Sequence, residues 1–117
     1  MSPVRDRMLV WRSAREATVV EPMDAYWLEA EGRTTWIRLR NRRRLRDHRS
    51  LAEIVQALEP FGFLRIHRNH AVNLRRLAEV RRRRSGVDWE VKLEPPVNRV
   101  LPVARGREQA LVAALSG

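Results

Sequence analysis

The chain has 117 residues, with 24 basic side chains against 14 acidic ones, a formal net charge of +10 and no cysteine. That length supports one domain, residues 1–117, with a modest core rather than two. The lack of cysteine excludes disulfides and thiolate metal sites and fits an intracellular, cytoplasmic setting, and the opening MSPVRDRMLVWRS has no long apolar run to serve as a signal peptide or transmembrane span.

Met8 to Trp11 and Thr18 to Val20 are short apolar runs on either side of Arg12 to Glu16, which predicts a strand, a turn and a second strand. Pro22 then breaks the chain before Ala25 to Ala30, where Tyr26, Leu28 and Ala30 alternate with Trp27 and Glu29 as in a half-buried strand. Glu31, Gly32 and Arg33 form a turn. Thr34 to Arg40 alternates again, with Thr35, Ile37 and Leu39 on one side and Thr34, Trp36, Arg38 and Arg40 on the other, so the pair predicts a hairpin. Its outer face sets cations beside an indole, which stacks on a base or packs against arginine stems; packing is the favoured expectation. Asn41 to Arg44 is a basic turn leading to a short strand near Leu45.

Ser50 to Leu58 predicts a helix. Ser50 with Glu53 makes an S-x-x-E capping box, and Leu51, Ile54, Val55 and Leu58 supply an apolar stripe that must lie on a sheet. Pro60 and Gly62 end it. The stretch Phe63 to Leu74, FLRIHRNHAVNL, reads as one extended run in which Phe63, Leu64, Ile66, Ala71, Val72 and Leu74 anchor a core. Arg65, His67, Arg68 and Asn69 offer donors of the types that contact phosphates and base edges. A strand with a polar solvent face gives the same pattern. The His67, His70 pair suggests metal, but residues three apart fall on opposite faces of a strand, and no acidic residue lies nearer than Glu59 or Glu79, so no metal site is expected.

Leu77, Ala78 and Val80 precede the run Arg81 to Arg84. The turn Ser85, Gly86 leads to a strand with Val87, Trp89, Val91 and Leu93 on one face and Asp88, Glu90, Lys92 and Glu94 on the other, whose acids are expected to pair across the hairpin with Arg81 to Arg84. Pro95 and Pro96 make the next turn. Arg99 to Val103 is a last strand that Pro102 confines to an edge or an end, and Ala104, Arg105 and Gly106 hinge into a terminal helix, Arg107 to Leu115.

Charge is concentrated in the middle of the chain: Arg33 to Arg84 holds 16 Arg against four acidic residues, a net of +12, leaving about −2 for the remainder. Such a field attracts polyanions and makes their binding salt-sensitive. No amphipathic basic helix with large apolar residues accompanies it, which disfavours a membrane surface.

In order and spacing, YWLEAEG with TTWIRL, the SLAEIVQAL helix, FLRIHRNHAVNL and VKLEPPVNRVLPVAR resemble the LytTR family of bacterial DNA-binding domains over nearly the whole chain. The resemblance implies a mainly β fold with two short helices and small antiparallel sheets, found at the C-terminus of response regulators and other transcription regulators. It also implies that loops, rather than a recognition helix, enter successive major grooves of a direct-repeat site. By position those loops are the turn around Arg33 to Thr35, the Arg65 to Asn69 segment and the Arg105 hinge. Asn69 and Ala104 stand where the family usually has Ser, and Arg33 and Thr34 where it often has Asn and Tyr. An asparagine can read adenine and an alanine cannot hydrogen-bond a phosphate, so the preferred sequence is expected to differ from the family average.

The expected function is sequence-specific binding of double-stranded DNA by a transcription regulator. Arg33, Thr34, His67, Arg68, Asn69 and Arg105 are expected to face base edges, while Arg38, Arg40, Arg49, Arg65 and Arg107 grip phosphates. The alternative is a non-specific nucleic-acid binder, whose signature of displayed aromatic residues is thin here. No acidic cluster or nucleophile, base and orienter arrangement points to catalysis, and no cofactor or small-molecule substrate is expected. Two direct-repeat half-sites require two copies, so a homodimer on DNA is expected. If the chain is a fragment, a sensor, receiver or membrane domain accompanies it.

Overall fold

The computed structural model describes residues 6–84, 86 and 88–116. Within them the elements follow in the order β1 (Met8–Trp11), β2 (Ala17–Val20), β3 (Ala25–Glu31), β4 (Thr34–Leu39), β5 (Arg44–Asp47), α1 (Leu51–Leu58), β6 (Phe63–His67), β7 (His70–Asn73), β8 (Leu77–Arg82), β9 (Trp89–Leu93), β10 (Val100–Val103) and α2 (Glu108–Ser116). The strands form three antiparallel sheets: β1–β2, a five-stranded sheet in the order β5–β4–β3–β7–β6, and a three-stranded sheet in the order β10–β9–β8. The mainly β class with two short helices is the one expected.

The centre of the large sheet departs from expectation. Ala25, Tyr26, Trp27 and Leu28 of β3 are all buried, where simple alternation predicts every second residue exposed. Two causes combine. A register shift between Ala25 and Trp27 interrupts the pairing with β4, and β3 has a core on each face. On one side Ala25 and Leu28 join Met8, Ile37, Ile54 and Phe63 under α1 and the β1–β2 hairpin. On the other, Tyr26 and Trp27 join Ile66, Val72, Val91, Leu101 and Leu111 against the three-stranded sheet and α2. A strand covered on both faces loses its polar alternation.

Local chemistry explains most of the remaining elements. Ser50 Oγ accepts the Glu53 amide at 3.2 Å while the Ser50 amide donates to Glu53 Oε1 at 3.3 Å, so the capping box forms and aims Leu51, Ile54 and Leu58 at the sheet. Gly62, at φ 90°, takes the left-handed turn that lets β6 start. Thr35, Ile37 and Leu39 share the buried side of β4 as predicted. Pro102 lies on β10, an edge strand, where its missing N–H costs no ladder hydrogen bond. The terminal helix starts and ends one residue later than predicted and buries only Leu111. Ser85 and Val87, predicted in the β8–β9 turn and on the apolar face of β9, lie outside the described residues.

The stretch FLRIHRNHAVNL is not one extended run. It folds into the β6–β7 hairpin with Arg68 and Asn69 at the turn, which makes His67 and His70 cross-strand partners. The hairpin is anchored by Asn73, fully buried, whose amide donates to the Pro22 and Ala25 carbonyls at 3.0 and 2.9 Å while its oxygen accepts the Arg75 amide at 3.0 Å. Asn73→Ala removes all three bonds; the Pro22 carbonyl keeps the Ala25 amide, but the buried Ala25 carbonyl and the Arg75 amide lose their side-chain partner, so a loss of about 3 kcal/mol is expected in urea denaturation. A loss below about 1 kcal/mol would show that water or a shifted backbone replaces the side chain.

Candidate nucleic-acid interface

Three loops meet at one end of the molecule: the β3–β4 turn at Gly32 and Arg33, the β6–β7 turn at Arg68 and Asn69, and Ala104 to Gly106 after β10. Main-chain hydrogen bonds lace them together. The Ala30 amide donates to the Asn69 carbonyl at 2.9 Å, and the Ala104 amide donates to the Ile66 carbonyl at 2.8 Å. The spacing of these loops is therefore set by backbone rather than by flexible side chains.

The middle loop needs help to hold its shape. Two-residue hairpin turns favour residues at positive φ, matching the twist of the strands, yet neither Arg68 nor Asn69 has one. A register shift between Arg65 and His67 takes up the mismatch. Side chains then close the turn: His67 Nδ1 accepts the Asn69 amide at 3.1 Å, while Arg65 donates from Nε to the His67 carbonyl at 3.3 Å and from Nη2 to the Arg68 carbonyl at 2.6 Å. Accepting at Nδ1 puts the proton of a neutral His67 on Nε2, leaving that N–H as its free donor.

The predicted base-facing residues differ in how they are held. Arg33 and Arg68 are exposed and have no carboxylate partner among the described residues, and Thr34, His67 and Asn69 are half-buried beside them. Arg105, 79% exposed, touches Asp88 Oδ1 through Nε at 3.2 Å, which leaves the outer edge of its guanidinium free. Of the β9-side acids expected to pair with the Arg81 to Arg84 run, Glu90 does so, meeting Arg81 at 2.9 Å and Arg83 at 3.9 Å, whereas Asp88 turns to Arg105 and Glu94 to Arg76. Arg82 packs over Trp89.

The cations predicted to grip phosphate are more committed than their sequence suggests. Arg38 is bound to Glu29 at 2.8 Å and lies over Trp27, Arg40 approaches Asp24 at 3.8 Å and Tyr26, and two of Arg65's donors serve the turn. Arg49 forks onto Asp47, with Nε at 3.0 Å and Nη2 at 2.9 Å. Burial works to raise the Asp47 carboxyl, but the hydrogen bonds from the Arg49 side chain and the Arg49 and Trp11 amides outweigh it and hold it below the ordinary carboxylate value. Arg107 is half-buried, with its amide donating to Ala104. Arg44, not singled out from the sequence, stacks 4.0 Å over Trp36, so that indole packs against an arginine as favoured.

His67 and His70 do not fall on opposite faces as predicted, because the hairpin turn intervenes; their ring centroids are 5.1 Å apart. No group of three or more His, Cys, Asp and Glu suited to a metal occurs among the described residues. His70 also meets Trp27 edge-on at 5.5 Å, and its Nδ1 is buried without a hydrogen-bond partner.

The family model of the LytTr DNA-binding domain matches residues 15–116. A solved structure described as the LytTr DNA-binding domain of a methyl-accepting/DNA response regulator from Bacillus cereus matches in fold with a TM-score of 0.75 at 16% identity, covering 97% of this chain and all of its own. No curated protein matches the chain in sequence. No described helix is long and apolar enough to cross a membrane.

Burial first, then the neighbouring His67, push the His70 imidazole below its ordinary pKa of 6.5, against the pull of Glu29. The fold thus prefers neutral His70, whereas the unfolded chain protonates it near 6.5. The contribution is complete above that value and is lost as pH falls below it towards the depressed folded pKa. Urea midpoints are expected to fall between about pH 7.5 and 5.5, and His70→Leu to flatten the slope; an unchanged slope would remove His70 as its source.

Proposed function

The chain belongs to the LytTR family of DNA-binding domains, and from that premise we propose that it reads a specific double-stranded sequence as the output domain of a transcription regulator. The observation that carries this reading is the backbone lacing of three exposed loops bearing Arg33, Arg68 and Arg105. Fixed spacing between loops is what contact with separate groove segments requires, because positional error in the reader weakens every bidentate base contact.

On this reading Arg33, Thr34, His67, Arg68, Asn69 and Arg105 face base edges. Arg105 presents its outer guanidinium edge with Asp88 fixing Nε, a geometry suited to the paired acceptors of guanine, and Asn69 suits adenine. Arg40 and Arg107 contact phosphates, as do the outer edges of Arg38 and Arg49, whose paired carboxylates weaken their net pull. Arg65 contributes chiefly by bracing the β6–β7 turn. The 117 residues act as one domain, without catalysis, in the cytoplasm. Two copies occupy a direct-repeat site, and a sensor, receiver or membrane domain accompanies them if the chain is a fragment.

Selection from a random duplex library, followed by fluorescence anisotropy on the enriched and scrambled sequences across a salt series, tests this. Preference for the enriched site by about a thousandfold or more is expected. A steep salt slope without an enriched motif would leave only non-specific electrostatic binding. Arg68→Ala and Arg105→Ala should each lose about 1–3 kcal/mol on the preferred site and relax base choice there. Equal weakening on preferred and random DNA would overturn the division between readers and phosphate contacts.

A further inference from the structure

At the far end of the β3–β4 hairpin from the Gly32 turn, a groove of about 580 Å³ opens between the segment after β4 and the segment before β10. Asn41, Arg42 and Arg43 form one wall and Arg99 the other, with Trp27 and Arg38 between them. Arg38 is offset by Glu29, but Arg42, Arg43 and Arg99 have no carboxylate partner among the described residues. Three uncompensated guanidiniums around a concavity repel one another and focus a positive field into it.

The groove is also shaped in advance. Arg38 and Arg99 both rest on the Trp27 indole, with 5.2 and 5.6 Å to the ring centroid, which restricts their rotamers. Asn41 and Arg42 are consecutive residues in the left-handed region, at φ 64° and 63°, and Asn98 beside Arg99 is a third at 52°. These are the non-glycine residues with positive φ among the described residues, and all flank this groove. An arginine in that conformation is uncommon, and held strain concentrates at ligand sites.

We propose that the groove is an oxyanion site for a phosphate or diphosphate group, separate from the base-reading loops. Planar guanidinium forks match phosphate oxygens bidentately, and three uncompensated cations match the charge of a diphosphate better than a single carboxylate. The volume exceeds a phosphate, and Leu39, Pro96 and Val97 give the remainder an apolar lining for the organic part of a ligand. The phosphate comes either from a free phosphorylated compound or from a nucleic-acid backbone, and the two are separable by experiment.

The test is titration of inorganic pyrophosphate into the ¹⁵N-labelled chain at constant ionic strength, following the Trp27 indole and Arg99 side-chain N–H signals. Saturable binding is expected, weakened about tenfold or more in Arg43→Gln/Arg99→Gln and in the charge reversal Arg43→Glu, but by less than about twofold in Arg75→Gln/Arg84→Gln, which removes the same charge elsewhere. Unsaturable shifts, or equal weakening by groove and control variants, would overturn the site in favour of diffuse cationic attraction. If Arg43→Gln/Arg99→Gln also weakens duplex binding about tenfold, the phosphate belongs to DNA; if duplex affinity holds within about twofold, it belongs to a free ligand. Pyrophosphate binding requires no base recognition, so it stands or falls apart from the DNA reading.

Discussion

The hydrogen bonds from the Arg65 guanidinium to the carbonyls of His67 and Arg68 are the constraint on which the end of the molecule proposed to read DNA depends. A two-residue turn without positive φ does not close a twisted hairpin unaided. Arg65 reaches across from the strand and converts an awkward turn into a fixed one, with His67 Nδ1 completing it from within. Because the Ile66 and Asn69 carbonyls on either side accept the amides of Ala104 and Ala30, the shape of this one turn propagates to the other two loops through the main chain. A cation that reads as a ligand contact in sequence thereby works as scaffold.

The same end of the fold is supported from below by a strand with no solvent face over its first four residues. β3 separates the two cores, and its neighbours β4 and β7 carry the turns that flank it. Displacement of β3 would disturb both cores at once, so the loops ride on the most completely buried part of the sheet. Tyr26 adds a long-range tie, donating from its hydroxyl to the Pro95 carbonyl at 3.2 Å and so linking the large sheet to the segment between β9 and β10.

What could be read from the sequence was what depends on near neighbours. The α1 capping box needs only Ser50 and Glu53, three residues apart, and the burial of Thr35, Ile37 and Leu39 needs only the strand period. The β6–β7 turn was missed because neither Gly nor Asn-Gly marks it: the closure lies in Arg65, whose side chain gives no local sign of where it will reach. Double burial of β3 was missed because it depends on elements that arrive later in the chain. The three candidate loops could be placed individually from residue types and from the family resemblance. Their convergence rests on two main-chain hydrogen bonds between segments about 40 residues apart, and Asp88 meets Arg105 across 17 residues. No pattern in residue types encodes either.

If Arg105 faces base edges as proposed, the carboxylate beside it also acts as an electrostatic filter. A phosphodiester brings a full negative charge, which Asp88 repels even as Arg105 attracts it, so that combination has little net preference for backbone. A base edge brings only partial charges and a fixed pattern of acceptors, and there the repulsion largely vanishes while the orientation imposed on the guanidinium remains. With 23 arginines in the chain, most cations could grip any duplex anywhere. On the proposed reading, pairing an exposed arginine with an acid spares it from that background and reserves it for the interior of a groove.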